Sequence, residues 1–112
     1  MIDGYIQRFL DHIIGERGLA ANTVASYGRD LAQLAEFLAE RGIANPREID
    51  EQCIVAFLGQ LRSRRYEATS LARKVSAVRS FVRFLCAERE IDRNPLSTLE
   101  STAPDRRLPK SL

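Results

Sequence analysis

Between positions 62 and 83 the chain carries seven basic side chains and a single acid. The cations are Arg62, Arg64, Arg65, Arg73, Lys74, Arg79 and Arg83, and the acid is Glu67. No carboxylate occurs from Ala68 to Ala87, while Thr69, Ser76 and Ser80 supply hydroxyls there. A solvated helix usually mixes charge signs at i,i+4, where each pair adds about 0.2–0.5 kcal/mol. This stretch forgoes that gain, as an anion-binding helix does. A guanidinium can fork onto phosphate oxygens or onto the O6/N7 edge of guanine, and a hydroxyl can meet either. The chemistry these residues offer is recognition of a polyanion.

Bond-making chemistry has no such support. The chain contains no HxxR, no GxSxG, no glycine loop for a phosphate and no HExxH. Its one histidine, His12, cannot build a triad, and two cysteines with one distant histidine do not make a metal site, so no metal site and no cofactor are expected. Cys53 and Cys86 sit in apolar helical contexts and are expected to be reduced, buried and inert. This chain by itself is not expected to be an enzyme.

The basic side chains must be held by helices. At about 100° per residue, Leu71, Val75, Val78, Val82 and Leu85 form one stripe of a helix over Thr69–Cys86 that continues to Glu88–Arg89, with Phe81 at the stripe's edge. Thr69, Arg73, Ser76, Ser80 and Arg83 fall opposite, with Arg79 on one flank. Three helices precede it. The first runs over Ile2–Arg17, with Ile2, Tyr5, Ile6, Phe9, Leu10, Ile13 and Ile14 as its apolar face and Gly18 as its stop. The second runs over Asn22–Arg41, with Asn22-Thr23 supplying the cap, and Gly42 ends it. Val24, Tyr27, Leu31, Leu34 and Leu38 are its buried stripe; Ser26, Arg29 and Gln33 lie on the other side. After the turn at Asn45-Pro46, Asp50 caps a third helix over Glu51–Arg64 that buries Ile54, Phe57, Leu58 and Leu61. Tyr27, Leu31, Val78, Phe81 and Leu85 are predicted to be buried together. From Leu96 to Leu112, Pro104, Pro109, Arg106, Arg107 and Lys110 suggest a linker with at most a short turn near Ser97–Leu99.

A length of 112 residues with 45% apolar side chains suits one helical domain with a real core. Residues 1–95 form that domain in this reading, and 96–112 the linker. The net charge of +2 says little, but its distribution says more. Residues 1–61 hold 5 basic and 9 acidic side chains, and residues 62–112 hold 12 and 6. Such asymmetry points to a polyanionic partner for the second half, although a dipolar surface without a partner also accounts for it. There is no signal pattern and no apolar run approaching a membrane span, so a cytoplasmic protein without membrane contact is expected.

An α-helix fits the major groove of B-DNA, which makes duplex DNA the expected polyanion. The candidate contacts are Ser26, Arg29 and Gln33 on the second helix, with Arg73, Lys74, Ser76, Arg79 and Ser80 on the fourth. Arg106, Arg107 and Lys110 are candidates to follow the backbone. Arg79 has a second reading, as a structural partner of a core-edge carboxylate such as Asp30.

Three groups of residues carry a resemblance. They are Asn22-Thr23-Val24 with Tyr27, Asp30 and Leu31; Ser70, Arg73, Val75-Ser76-Ala77-Val78-Arg79, Phe81 and Phe84-Leu85; and Asn94-Pro95 with Leu108-Pro109-Lys110. In this order they resemble the N-terminal, core-binding domain of tyrosine site-specific recombinases of the Xer group. The resemblance implies an all-α, four-helix orthogonal bundle of the SAM-like type, forming half of a clamp around duplex DNA. It implies that the second and fourth helices cross the duplex at the major groove. It also implies a second, catalytic domain beyond the linker, none of whose residues is present. The parent enzyme would cut and rejoin DNA in chromosome-dimer resolution or integration, with sister subunits in a synaptic tetramer. Gly28 departs from the family, which often has a basic residue there, and Ala20 and Glu67 stand where it often has a capping serine. Two rivals remain at this stage: a free-standing DNA-binding domain, and a bundle whose basic face docks an acidic protein.

Overall fold

A computed structural model describes residues 2–96. Four α-helices follow one another: α1 (Ile2–Arg17), α2 (Ala21–Glu40), α3 (Glu51–Ser63) and α4 (Ala68–Ala87). A single 3-10 turn, Pro46–Glu48, interrupts the α2–α3 connection, and no strand occurs among the described residues. The architecture is all-α, as the apolar periodicity predicts.

The helix ends follow local chemistry. Asp50 caps α3 by accepting a hydrogen bond from the Cys53 backbone N–H at 2.8 Å. Gly18 and Gly42 take left-handed φ values of 61° and 75° after α1 and α2. At Gly42 the closure is a Schellman motif, in which Gly42 N donates to Ala39 O and Ile43 N to Leu38 O. The start of α2 differs from expectation. Its cap position is Ala20, which makes no side-chain bond, and Asn22-Thr23 lie inside the first turn. Ala21 is a good helix former, and apolar Leu19 and Val24 occupy the N′ and N4 positions that can fix a chain's approach to a helix without a polar cap. Glu67, at the cap position of α4, makes no side-chain bond either, and Tyr66 and Leu71 repeat the same apolar spacing.

The buried residues form one continuous core. Leu31, Leu34, Leu38, Ile54, Phe57, Leu61, Val78 and Leu85 sit in it as predicted. Corrections concern the faces of α1, α2 and α4. Ile14 is 52% exposed, because Ile2, Ile6, Phe9 and Ile13 fill the inward seam of α1 and leave Ile14 turned aside. Phe81 is buried as predicted, but at the centre of the buried face of α4 and not at its edge, whereas Leu71 and Val75 are half-buried. The face is turned toward Ala77 and Phe84 because Phe9 of α1 packs against both Phe81 and Phe84, with ring centroids 5.7 and 5.5 Å apart. Tyr27 is half-buried, and its hydroxyl stands 3.4 Å from Ser76 Oγ. Of the two cysteines, both expected to be buried, Cys53 is buried and Cys86 half-buried. Burial pushes the Cys53 thiol up, which keeps it protonated.

Leu96, the first residue of the expected linker, is packed in the core at 2% exposure. The expected turn near Ser97–Leu99 and the expected contacts Arg106, Arg107 and Lys110 lie outside the described residues. No helix among the described residues is long and apolar enough to cross a membrane.

Candidate functional site

The N-terminal half of α4 lies against α2, and of the polar residues singled out on the two helices Gln33, Arg73, Lys74 and Ser76 face the other helix along that seam. Asp30 is at its centre, with its carboxylate shut from solvent. Arg73 grips it with two bonds: Nε donates to Oδ2 at 2.8 Å and Nη2 to Oδ1 at 2.9 Å. Lys74 Nζ donates to the same Oδ1 at 3.0 Å and to Gln33 Oε1 at 3.0 Å. Gln33 Nε2 donates to the Tyr66 hydroxyl at 2.7 Å, and the Lys74 ammonium lies 4.7 Å from the Tyr66 ring centroid. Ser26 and Arg29 stand on the outer side of α2, where Arg29 Nη2 donates to Ser26 Oγ at 3.2 Å.

The partner of Asp30 is therefore Arg73 with Lys74, and not Arg79. Six residues along an α-helix turn the side chain by about 240°, so Arg79 points about 120° away from Arg73. Arg79 is half-buried and makes no ion pair among the described residues.

Two cations on one carboxylate leave the cluster with a surplus positive charge. The two are not equivalent. The Arg73 side chain is 37% exposed and that of Lys74 13%. An ammonium has three donors. Those of Lys74 are taken up by Asp30, Gln33 and the face of Tyr66, so Arg73 is the cation that looks outward. Burial by itself would raise the Asp30 carboxyl. Hydrogen bonds from Arg73 and Lys74, and their charges, outweigh it and hold the group below its usual 3.8. The Gln33 bond draws the Tyr66 phenol below its usual value, with smaller help from Arg64 and Lys74.

Ser80 does not join this cluster. It shares a stripe with Arg73 and Ser76, but the later turns of α4 face α1. There Ser80 lines a groove of about 210 Å³ with Phe9, His12, Arg83 and Phe84. His12 is exposed, with its ring 5.2 Å from that of Phe84. A larger groove of about 960 Å³ lies between the start of α3 and residues 91–95. It mixes Arg47 and Arg93 with Asp50, Glu51 and Asp92, so it does not favour a polyanion. No group of three or more His, Cys, Asp or Glu side chains among the described residues is arranged to hold a metal.

Sequence reasoning missed Tyr66, which closes the cluster from the α3–α4 turn. Its signal was the apolar residue just before the Glu67 cap position with Leu71 four residues into the helix, the spacing of a hydrophobic staple.

Residues 6–89 match the family described as phage integrase, N-terminal SAM-like domain. The chain belongs to that family. The match takes in all of α2, α3 and α4, so every residue of the Asp30 cluster lies within it. Among curated relatives, the tyrosine recombinase XerC of Roseiflexus castenholzii is 40% identical over 107 residues, which cover 96% of this chain and 34% of that protein. The tyrosine recombinase XerD of Mycobacterium tuberculosis is 40% identical over 114 residues, covering 96% and 37%. That of Rhizobium meliloti is 37% identical over 112 residues, covering 100% and 36%. The SAM-like chain thus spans about a third of the length of these relatives.

Proposed function

We propose that this SAM-like domain binds duplex DNA as the N-terminal clamp half of an Xer-type tyrosine recombinase, a protein that cuts and rejoins DNA. The observation that carries the reading is the surplus positive charge of the α2–α4 seam, held on a rigid node and free of exposed carboxylate along α4. Arg73 faces outward from that node, and Arg29 and Ser26 stand on the outer side of α2. The exposed Arg62, Arg64 and Arg65 stand at the end of α3, next to the turn that Tyr66 ties to the seam. Ser76, Arg79 and Ser80 are further contacts in this reading, each reached from α4 outside the Asp30 cluster. Lys74 and Gln33 serve from within the seam, and Arg106, Arg107 and Lys110 follow the DNA backbone. The relatives' names, tyrosine recombinases all, support recombination as the parent activity; the larger assignment we propose with it is chromosome-dimer resolution or integration in the cytoplasm, with sister subunits assembled in a synaptic tetramer on the DNA.

A titration of fluorescent duplex with the 112-residue chain at several salt concentrations tests the domain's part. If about five phosphates are neutralised, log K falls against log salt with a slope near −4.5. Binding that ignores salt, or its absence even at low salt, removes the DNA reading.

A further inference from the structure

Asp30 is the one charged side chain fully buried among the described residues. Buried ion pairs add little net stability, since desolvation consumes most of the attraction; an apolar side chain of similar volume would hold the seam as well. What an apolar residue would not do is aim Arg73. A guanidinium has five N–H donors in a fixed plane. Arg73 spends two, from Nε and Nη2, on Asp30. Three remain, two on Nη1 and one on Nη2, and one from each nitrogen forms a second fork on the adjacent, terminal edge. The carboxylate is itself fixed from behind by Lys74, which Gln33 and the Tyr66 ring hold in place.

We propose that Asp30 is a positioning residue for duplex binding: it fixes one edge of Arg73 so that the other edge is presented, already oriented, to a two-oxygen or O6/N7 acceptor on the DNA. The inference rests on the duplex-binding reading above. Its physical basis is entropic. A loose arginine surrenders its rotamer freedom on binding, whereas Arg73 has surrendered it in folding. Tyr66 and Gln33 belong to the same brace, at one remove.

Net charge and positioning make opposite forecasts for Asp30→Asn. The substitution removes a negative charge from a polyanion-binding face, so if only charge mattered the variant would bind duplex more tightly. Positioning requires it to bind about five- to tenfold more weakly, and to add no loss in an Arg73→Ala background. Both are measured by fluorescent-duplex titration at fixed low salt, with circular dichroism establishing the fold. Tyr66→Phe, which changes neither charge nor the ring beneath Lys74, is expected to weaken binding about two- to threefold, and it decides the matter where Asp30→Asn does not fold. Unchanged or tighter binding by a folded Asp30→Asn or by Tyr66→Phe overturns the proposal. Failure of the wild-type chain to bind any duplex overturns the underlying reading, and this one with it. A duplex of A·T pairs alone identifies the acceptor. An undiminished Arg73→Ala loss there assigns the free fork to phosphate, and a loss confined to G·C-containing duplex assigns it to guanine.

Discussion

The two halves of α4 are packed by different means. Its first turns meet α2 through a carboxylate, two cations and an amide, all hydrogen-bonded. Its last turns meet α1 through rings: Phe9 packs edge-on against Phe81 and tilted against Phe84. Aromatic pairs add about 0.5–1.5 kcal/mol beyond the area they bury. A buried ion pair roughly breaks even. One half of the helix therefore supplies stability, and the other supplies direction. Ser76 and Ser80 make the contrast concrete, since one faces Tyr27 of α2 and the other lines the groove beside His12 of α1.

The sharpest way to break the comparison is to damage the packed half. Phe81 is fully buried, and Phe81→Ala removes a ring that the surrounding helices cannot replace. A loss of about 3–5 kcal/mol is expected in urea melts. Where enough folded protein survives, its duplex affinity should match the wild type, because the Asp30 cluster is two turns away. A change below about 0.5 kcal/mol would show that the aromatic half does not carry the stability assigned to it.

Damage to the polar half should be smaller and should depend on pH. Asp30→Asn leaves two cations short of a counter-charge, one of them partly solvated, and is expected to cost about 1–3 kcal/mol at neutral pH. The folded carboxyl lies below its usual 3.8, so its contribution is complete above that value and is lost as pH falls through the lower, folded one. Urea midpoints for wild type and variant should therefore keep a constant gap between about pH 5 and 8 and converge only in stronger acid. A gap that closes near neutrality would mean that Asp30 is not held as the ionised partner of Arg73.

The sequence makes the packed half easier to read than the polar half. Helix lengths, the stops at Gly18 and Gly42, the Asp50 cap and most core positions follow from local rules, because periodicity and turn chemistry act within a few residues. The seam does not. A helical wheel places Arg73 and Arg79 on different flanks of α4, but which flank meets Asp30 depends on how α2 crosses it. The wheel likewise puts Ser76 and Ser80 on one stripe and cannot show that α1 covers only its far end. Tyr66 lies outside every helical stripe, so periodicity gave it no weight. Leu71 and Phe81 were misplaced for a related reason. The centre of a buried face is set by the bulkiest partner across it, here Phe9.

The mildest perturbation separates stability from direction without touching either half. Gly28 lies in α2, on the side facing α1, and a Cβ built there would meet the Leu10 Cδ1 methyl at 3.4 Å. That is an ordinary contact with the tip of a flexible side chain, and the φ of Gly28 is not in the left-handed region. Gly28→Ala should therefore gain helix propensity and restrict the unfolded chain, for about 0.5–1 kcal/mol of added stability. The α2–α4 cluster keeps its distances and the chain keeps its charge. If direction comes from the cluster and not from overall rigidity, the stabilised variant binds duplex with the affinity and salt slope of the wild type. Tighter binding that tracks the added stability would instead place the limit on binding in the firmness of the whole bundle, and would leave the node around Asp30 no special part in it.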